Sequence, residues 1–121
     1  MEVTMDFDIN LMRDDRCTLV RVKGDIDVVS RERFEETLLE VVGAGGPVVV
    51  DMREVTFCDS TGLNVIVVAN RRALERDIYL ALVALPQRVQ RVFSITGVDK
   101  YVPVHDTLRE ALAAMPSATR G

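Results

Sequence analysis

The sequence predicts an α/β domain with a mostly parallel mixed sheet of about five strands, an opening antiparallel hairpin and about four helices. The order is β-β-α-β-α-β-α-β-α. Three observations predict it. The chain starts with two neighbouring strand-like runs joined by a charged turn. From there, apolar runs too short for helices alternate with segments whose apolar residues recur at helical spacing. Glycine and proline punctuate most of the changes of period. The first strand keeps a polar side, so the helices are expected to pack more on one face of the sheet.

Residues 3–11 alternate: Val3, Met5, Phe7, Ile9 and Leu11 on one side, Thr4, Asp6, Asp8 and Asn10 on the other. Arg13-Asp14-Asp15-Arg16 reads as the turn, residues 17–23 as the returning strand, and Gly24 as its end. Gly24-Asp25-Ile26-Asp27 leads to Ser30, a candidate N-cap for a helix carrying Phe34, Thr37, Leu38, Val41 and Val42 inward. Gly43-Ala44-Gly45-Gly46-Pro47 stops that helix, and Val48-Val49-Val50 reads as a central strand covered on both faces. A charged connection follows, and then the elbow Asp59-Ser60-Thr61-Gly62, from which a second helix runs with Leu63, Ile66, Val67, Asn70, Ala73 and Leu74 on one face. Val65 to Val68 favour a strand by propensity, but the capped start and the charged end, Arg71, Arg72, Glu75 and Arg76, favour the helix. Residues 78–84 read as a buried strand, and Pro86 as the first position of a third helix with Val89, Val92, Phe93 and Ile95 inward and Gly97 as its C-terminal cap. Residues 101–104 read as an edge strand, because Pro103 cannot donate to a ladder. Asp106 or Thr107 with Glu110 forms a capping arrangement for a last helix through Leu108, Ala111 and Leu112. The domain is expected over 1–115, with 116–121 as a C-terminal tail.

Composition narrows the function. A chain of 121 residues, 48% hydrophobic and 28% charged, is long enough to bury a core without disulfides or a metal. The formal net charge of -4, with acids and bases interspersed, argues against nucleic acid or an anionic membrane as partner. The sequence holds neither a segment resembling a signal peptide nor an apolar run long enough to span a bilayer, and a cytoplasmic location is expected. Cys17 and Cys58 form no CxxC pair and have only His105 for company. Two reduced, buried thiols are therefore expected, and neither a metal nor a cofactor.

The elbow at 59–62 carries the functional signal. A helix start offers unpaired backbone N–H groups and the positive end of the helix dipole, so a hydroxyl there is exposed and an anion on it is well received. The same residues are also common N-caps, and both readings stand. Asp27 follows one strand end and Ser60 another, so the two are candidates for neighbours at the carboxyl end of the sheet.

Gly24-Asp25-Ile26-Asp27, Phe57-Cys58-Asp59-Ser60-Thr61-Gly62-Leu63, the apolar helix after it and Ile95-Thr96-Gly97 together resemble the bacterial anti-sigma-factor antagonists, the single-domain STAS proteins. The likeness covers about residues 3–114. It implies a STAS-like fold and a regulator rather than an enzyme. Such a protein binds an anti-sigma serine kinase and so releases its sigma factor. The resemblance further implies that the kinase phosphorylates Ser60 and then lets go, and that a PP2C-type phosphatase restores the serine. Asp27, Asp59, Ser60, Thr61, Gly62, Leu63 and Asn64 are the implied partner-binding residues. Cys58 and Asn64 depart from the residues frequent at their positions, without touching the acceptor hydroxyl. A homodimer is left open.

Other classes fit less well. A phosphoaspartate receiver needs an acidic pair after an early strand and a lysine after a late one, whereas Lys100 precedes the last strand. A nucleotide- or ligand-sensing module on the same scaffold is the alternative function, although Gly43-Ala44-Gly45-Gly46 lacks the Lys-Ser/Thr of a phosphate loop and precedes a strand. Hydrolase chemistry at Ser60 lacks an evident histidine partner and a Gly-x-Ser-x-Gly context.

Overall fold

The computed structural model describes residues 7–116. Its five strands lie in the sheet in chain order: β1 (Asp8–Arg13), β2 (Thr18–Ile26), β3 (Val48–Cys58), β4 (Leu80–Val83) and β5 (Val104–His105). β1 is antiparallel to β2, and every later pair is parallel. The helices are α1 (Arg31–Ala44), α2 (Ser60–Glu75), α3 (Gln87–Thr96) and α4 (Leu108–Ala113), with a 3-10 turn at Val98–Lys100. Element order and sheet type are those the sequence predicts. Among the described residues, no helix is long and apolar enough to cross a membrane.

The core divides unequally across the sheet. Phe34, Leu38 and Val42 of α1, Ile66 and Ala69 of α2 and Val89 and Phe93 of α3 pack against Val20, Val22, Val50, Met52 and Leu82. On the opposite face, Ala111 of α4 closes a smaller cluster over Cys17, Leu19, Val49, Ala81 and Val83. The expected crowding of helices on one face is therefore present, and α4 covers only part of the other.

Several local expectations are corrected by tertiary context. Val3 and Met5 lie outside the described residues; Phe7 is buried just ahead of β1, and Arg13 belongs to the strand rather than the turn. Leu11 is half exposed, because an edge strand has packed neighbours on one side only. Gly24 does not end β2. Its φ of 98° falls at a register shift against β3, and the irregularity absorbs the left-handed conformation while the ladder continues to Ile26. The charged connection after Val50 is likewise strand, since β2 continues alongside it, and Met52, Val55 and Cys58 are buried. Asp51, also buried, is held by Arg21 at 3.5 Å and by the Arg53 N–H at 3.0 Å.

Further along, Leu63, Ile66, Asn70 and Ala73 of α2 face inward as expected, but Leu74 is 67% exposed at its far end. β4 is shorter than residues 78–84. Pro86 is the N-cap of α3 rather than its first helical residue, and Ile95 points to solvent at 78% exposure. Gly97 takes the expected left-handed cap, with φ at 81°. The last strand starts only at Val104, because the 3-10 turn draws the chain together before it. Thr107 caps α4 by accepting from the Glu110 N–H at 3.1 Å, and the Glu110 carboxylate accepts from the Asp106 N–H at 3.2 Å.

Candidate functional site

Two adjacent parallel strands bring the predicted site residues to one end of the sheet. Ile26 at the end of β2 is the register partner of Cys58 at the end of β3, and the Asp59 N–H donates to the Ile26 carbonyl at 3.1 Å. The chain leaves β2 into the turn at Asp27 and leaves β3 into α2. Asp27 and Asp59 therefore stand one residue beyond paired positions.

At the α2 start the three small residues have separate tasks. Asp59 is the N-cap, and its Oδ1 accepts from the backbone N–H of Thr61 at 2.9 Å and of Gly62 at 3.2 Å. The same oxygen accepts from the Thr61 hydroxyl at 2.5 Å. That hydroxyl bond, helped by the two N–H groups and opposed by partial burial, lowers the Asp59 pKa from its ordinary 3.8. Ser60 is exposed, and its hydroxyl has no protein partner among the described residues. Gly62 and Leu63 are buried and Asn64 is exposed on the outer side of the helix. The capping reading of the elbow falls to Asp59, and the Ser60 hydroxyl beside it is exposed.

The capping interaction is testable. Asp59→Ala should cost about 0.5–2 kcal/mol of stability, read from urea unfolding at pH 7. Because the folded pKa is lowered, this contribution is present above the ordinary carboxylate value and is lost as pH falls through the depressed one. The difference between wild type and variant should therefore shrink below about pH 4.

Asp27 organises the neighbouring turn. Its Oδ1 accepts from the N–H of Val29 at 3.0 Å and of Ser30 at 3.3 Å. Ser30 occupies the expected N-cap position of α1, but its side chain makes no capping bond. The buried hydroxyl instead donates to the Asp25 carbonyl at 2.7 Å and accepts from the Asp27 N–H at 3.1 Å. Thr56 donates to the Asp25 carboxylate at 2.5 Å and ties this turn to β3. Thr56 escaped the sequence reading, because a hydroxyl within a strand gives no sign of a partner on the next strand.

Cys58 lies beneath the elbow. Burial, with the Asp59 charge adding to it, pushes its thiol up to about 12, so it stays protonated and unreactive at neutral pH. Both cysteines are free and buried. A cavity of about 280 Å³, lined by Asn70, Leu74, Tyr79, Tyr101 and Pro103, opens at the far end of α2, away from Ser60.

Comparison with known proteins agrees with this geometry. The STAS domain family model matches residues 8–111. The anti-sigma-B factor antagonist of Bacillus subtilis (strain 168) is 27% identical over 100 residues, 83% of this chain and 92% of that protein. The anti-sigma-B factor antagonist of Listeria monocytogenes is 34% identical over 84 residues, 69% of this chain and 74% of that protein. The crystal structure of an anti-sigma factor antagonist from Mycobacterium paratuberculosis superposes with a TM-score of 0.81 at 27% identity, covering 95% of each chain. A chain with this sheet order, this capped elbow and these relatives belongs to the STAS domain family, among the anti-sigma factor antagonists.

Proposed function

We propose that this domain captures an anti-sigma factor that is also a serine kinase, so freeing a sigma factor in the cytoplasm, and that phosphorylation of Ser60 reverses the capture. The observation that carries the reading is the division of labour at the elbow. Of two adjacent hydroxyls, that of Ser60 is exposed and unpartnered, while that of Thr61 is bound to the Asp59 carboxylate. In the transfer, a bond forms between Ser60 Oγ and the γ-phosphorus of ATP. The bond from that phosphorus to the bridging oxygen breaks, ADP leaves, and the hydroxyl proton passes to a base of the kinase. Attack from Thr61 would first have to break the bond from its hydroxyl to the Asp59 carboxylate, a cost that the unpartnered Ser60 hydroxyl does not carry. A metal-dependent phosphatase of the PP2C class then hydrolyses the ester to serine and inorganic phosphate. This chain is the substrate in both steps.

The test uses the cognate anti-sigma factor, ATP and purified protein. Ser60→Ala should abolish phosphate incorporation and still bind the kinase. Incorporation that persists in the variant and maps to Thr61 would overturn the assignment.

A further inference from the structure

We propose that the cavity at the far end of α2 binds a small aromatic amine that carries a second hydrogen-bond donor on the opposite side of its ring, as a phenolic amine does. The site is remote from Ser60, and the proposal does not depend on the role of that serine.

The cavity encloses about 280 Å³, and Leu74, Ile78, Leu80 and Pro103 make its walls mostly apolar. An apolar void of about 150 Å³ already holds benzene, so a single ring with a short chain fits. Tyr79 and Tyr101 complete the walls. The Tyr79 hydroxyl donates to the Ala111 carbonyl at 2.7 Å, which fixes that side chain and leaves its ring as a rigid surface. Tyrosine rings receive both flat rings and cations.

Two acceptors without partners border this apolar space. Asn70 is the one polar side chain among the buried residues of α2, and it is 8% exposed. Its Nδ2 donates to the Tyr101 carbonyl at 3.3 Å, and because a carbonyl only accepts, that bond settles which end of the amide faces Tyr101. Its Oδ1 has no protein partner among the described residues. No fully buried side-chain oxygen among them lacks a partner, so Oδ1 reaches open space, and the open space that Asn70 borders is this cavity. An acceptor sheltered from bulk water in this way gains from a donor that a ligand brings. Asp77, exposed just past the end of α2, borders the same cavity, and its carboxylate likewise has no partner among the described residues. The neighbouring cation, Arg76, reaches instead to the Gly43 carbonyl at 3.4 Å.

The spacing of the two acceptors selects the ligand. Positions 70 and 77 are two helical turns, roughly 10 Å, apart, too far for one ammonium group to meet both. A rod-shaped molecule with a donor at each end meets them separately. Its O–H or N–H donates to Asn70 Oδ1, its ammonium group faces the Asp77 carboxylate, and its ring lies between them against Leu74 and Tyr101. The carboxylate favours a cationic end over a neutral or anionic one.

The experiment uses the full chain and tyramine as the probe. The comparators are phenethylamine, which lacks the phenolic donor, and para-ethylphenol, which lacks the ammonium group. Binding is read by amide-resolved NMR at neutral pH, from the Asn70 side-chain amide and the backbone signals of Leu74, Asp77 and Tyr101. Tyramine should shift these signals saturably, with a Kd on the order of 1 mM or below, and leave those of Ser60 and Asn64 in place. Each comparator should bind about fivefold or more weakly. Asp77→Asn should keep the wild-type urea midpoint, because asparagine tolerates the φ of 57° at this position, and should bind tyramine no better than wild type binds para-ethylphenol. Leu74→Arg, at an exposed position on the wall, places a cation beside the ammonium site and should weaken tyramine about tenfold. Shifts that fail to saturate, or that appear away from the cavity, would overturn the site. Binding in which either comparator matches tyramine, or which Asp77→Asn leaves unchanged, would overturn the ligand class.

Discussion

Phosphorylated at Ser60, the domain is expected to bind its anti-sigma factor on the order of 100-fold more weakly or worse, with its fold unchanged. The phosphate adds about -1.5 to -2 charges at pH 7. Within an interface, an unpaired charge costs several kcal/mol, and each 1.4 kcal/mol is about a factor of ten in affinity. A helix start would ordinarily soften that charge by offering its free N–H groups. Here Asp59 has already taken those of Thr61 and Gly62. The phosphate must then stand in solvent, close to a carboxylate held in its charged form by its hydrogen bonds. Sequence reasoning expected the helix dipole to receive the anion; the occupied cap reduces that benefit and leaves the full charge for the partner to meet. Calorimetric titration of the phosphorylated and bare proteins against the anti-sigma factor measures the ratio, and far-ultraviolet circular dichroism checks the fold. Equal affinity would remove the switch.

Gly62→Ala is expected to destabilise the domain by about 1–3 kcal/mol, the range for forcing extra atoms into a packed core. A Cβ at this position would lie 2.6 Å from Ile26 Cγ2 and 2.8 Å from Cys58 Sγ. Both neighbours are buried side chains at the paired ends of β2 and β3, with little room to yield. Relief requires the first turn of α2 to move off the sheet, and Ser60 moves with it. The variant should therefore lose both urea stability and phosphorylation rate, whereas Asn64→Ala, on the exposed side of the same turn, should leave the urea midpoint close to wild type. An unchanged midpoint for Gly62→Ala would show that the first turn of α2 does not pack closely on Ile26 and Cys58.

How far the sequence could be read depended on the range of the interaction involved. Period, caps and breakers act over a few residues, so the order of elements, the α2 start at Asp59 and the left-handed cap at Gly97 were legible. Burial at helix ends was not, and Leu74 and Ile95 both turned outward. Helical spacing identifies a face but not how far the neighbouring layer extends beneath it. The strand character of residues 51–57 was hidden for a similar reason. Its charged residues are tolerated because β2 supplies the ladder and Arg21 the counter-charge to Asp51, from a strand some thirty residues earlier in the chain.

By itself the sequence determined an α/β domain of nine elements, opened by a hairpin, with a hydroxyl-rich elbow launching its second helix. Only the tertiary structure decided which hydroxyl is free, by turning that of Thr61 onto Asp59 and leaving that of Ser60 in solvent. It also decided that the Asp27 turn and the elbow share one end of the sheet, through the pairing of Ile26 with Cys58. Local preference follows from a residue and its chain neighbours; exposure and hydrogen-bond partners follow from groups brought together across the fold, which no stretch of sequence contains on its own.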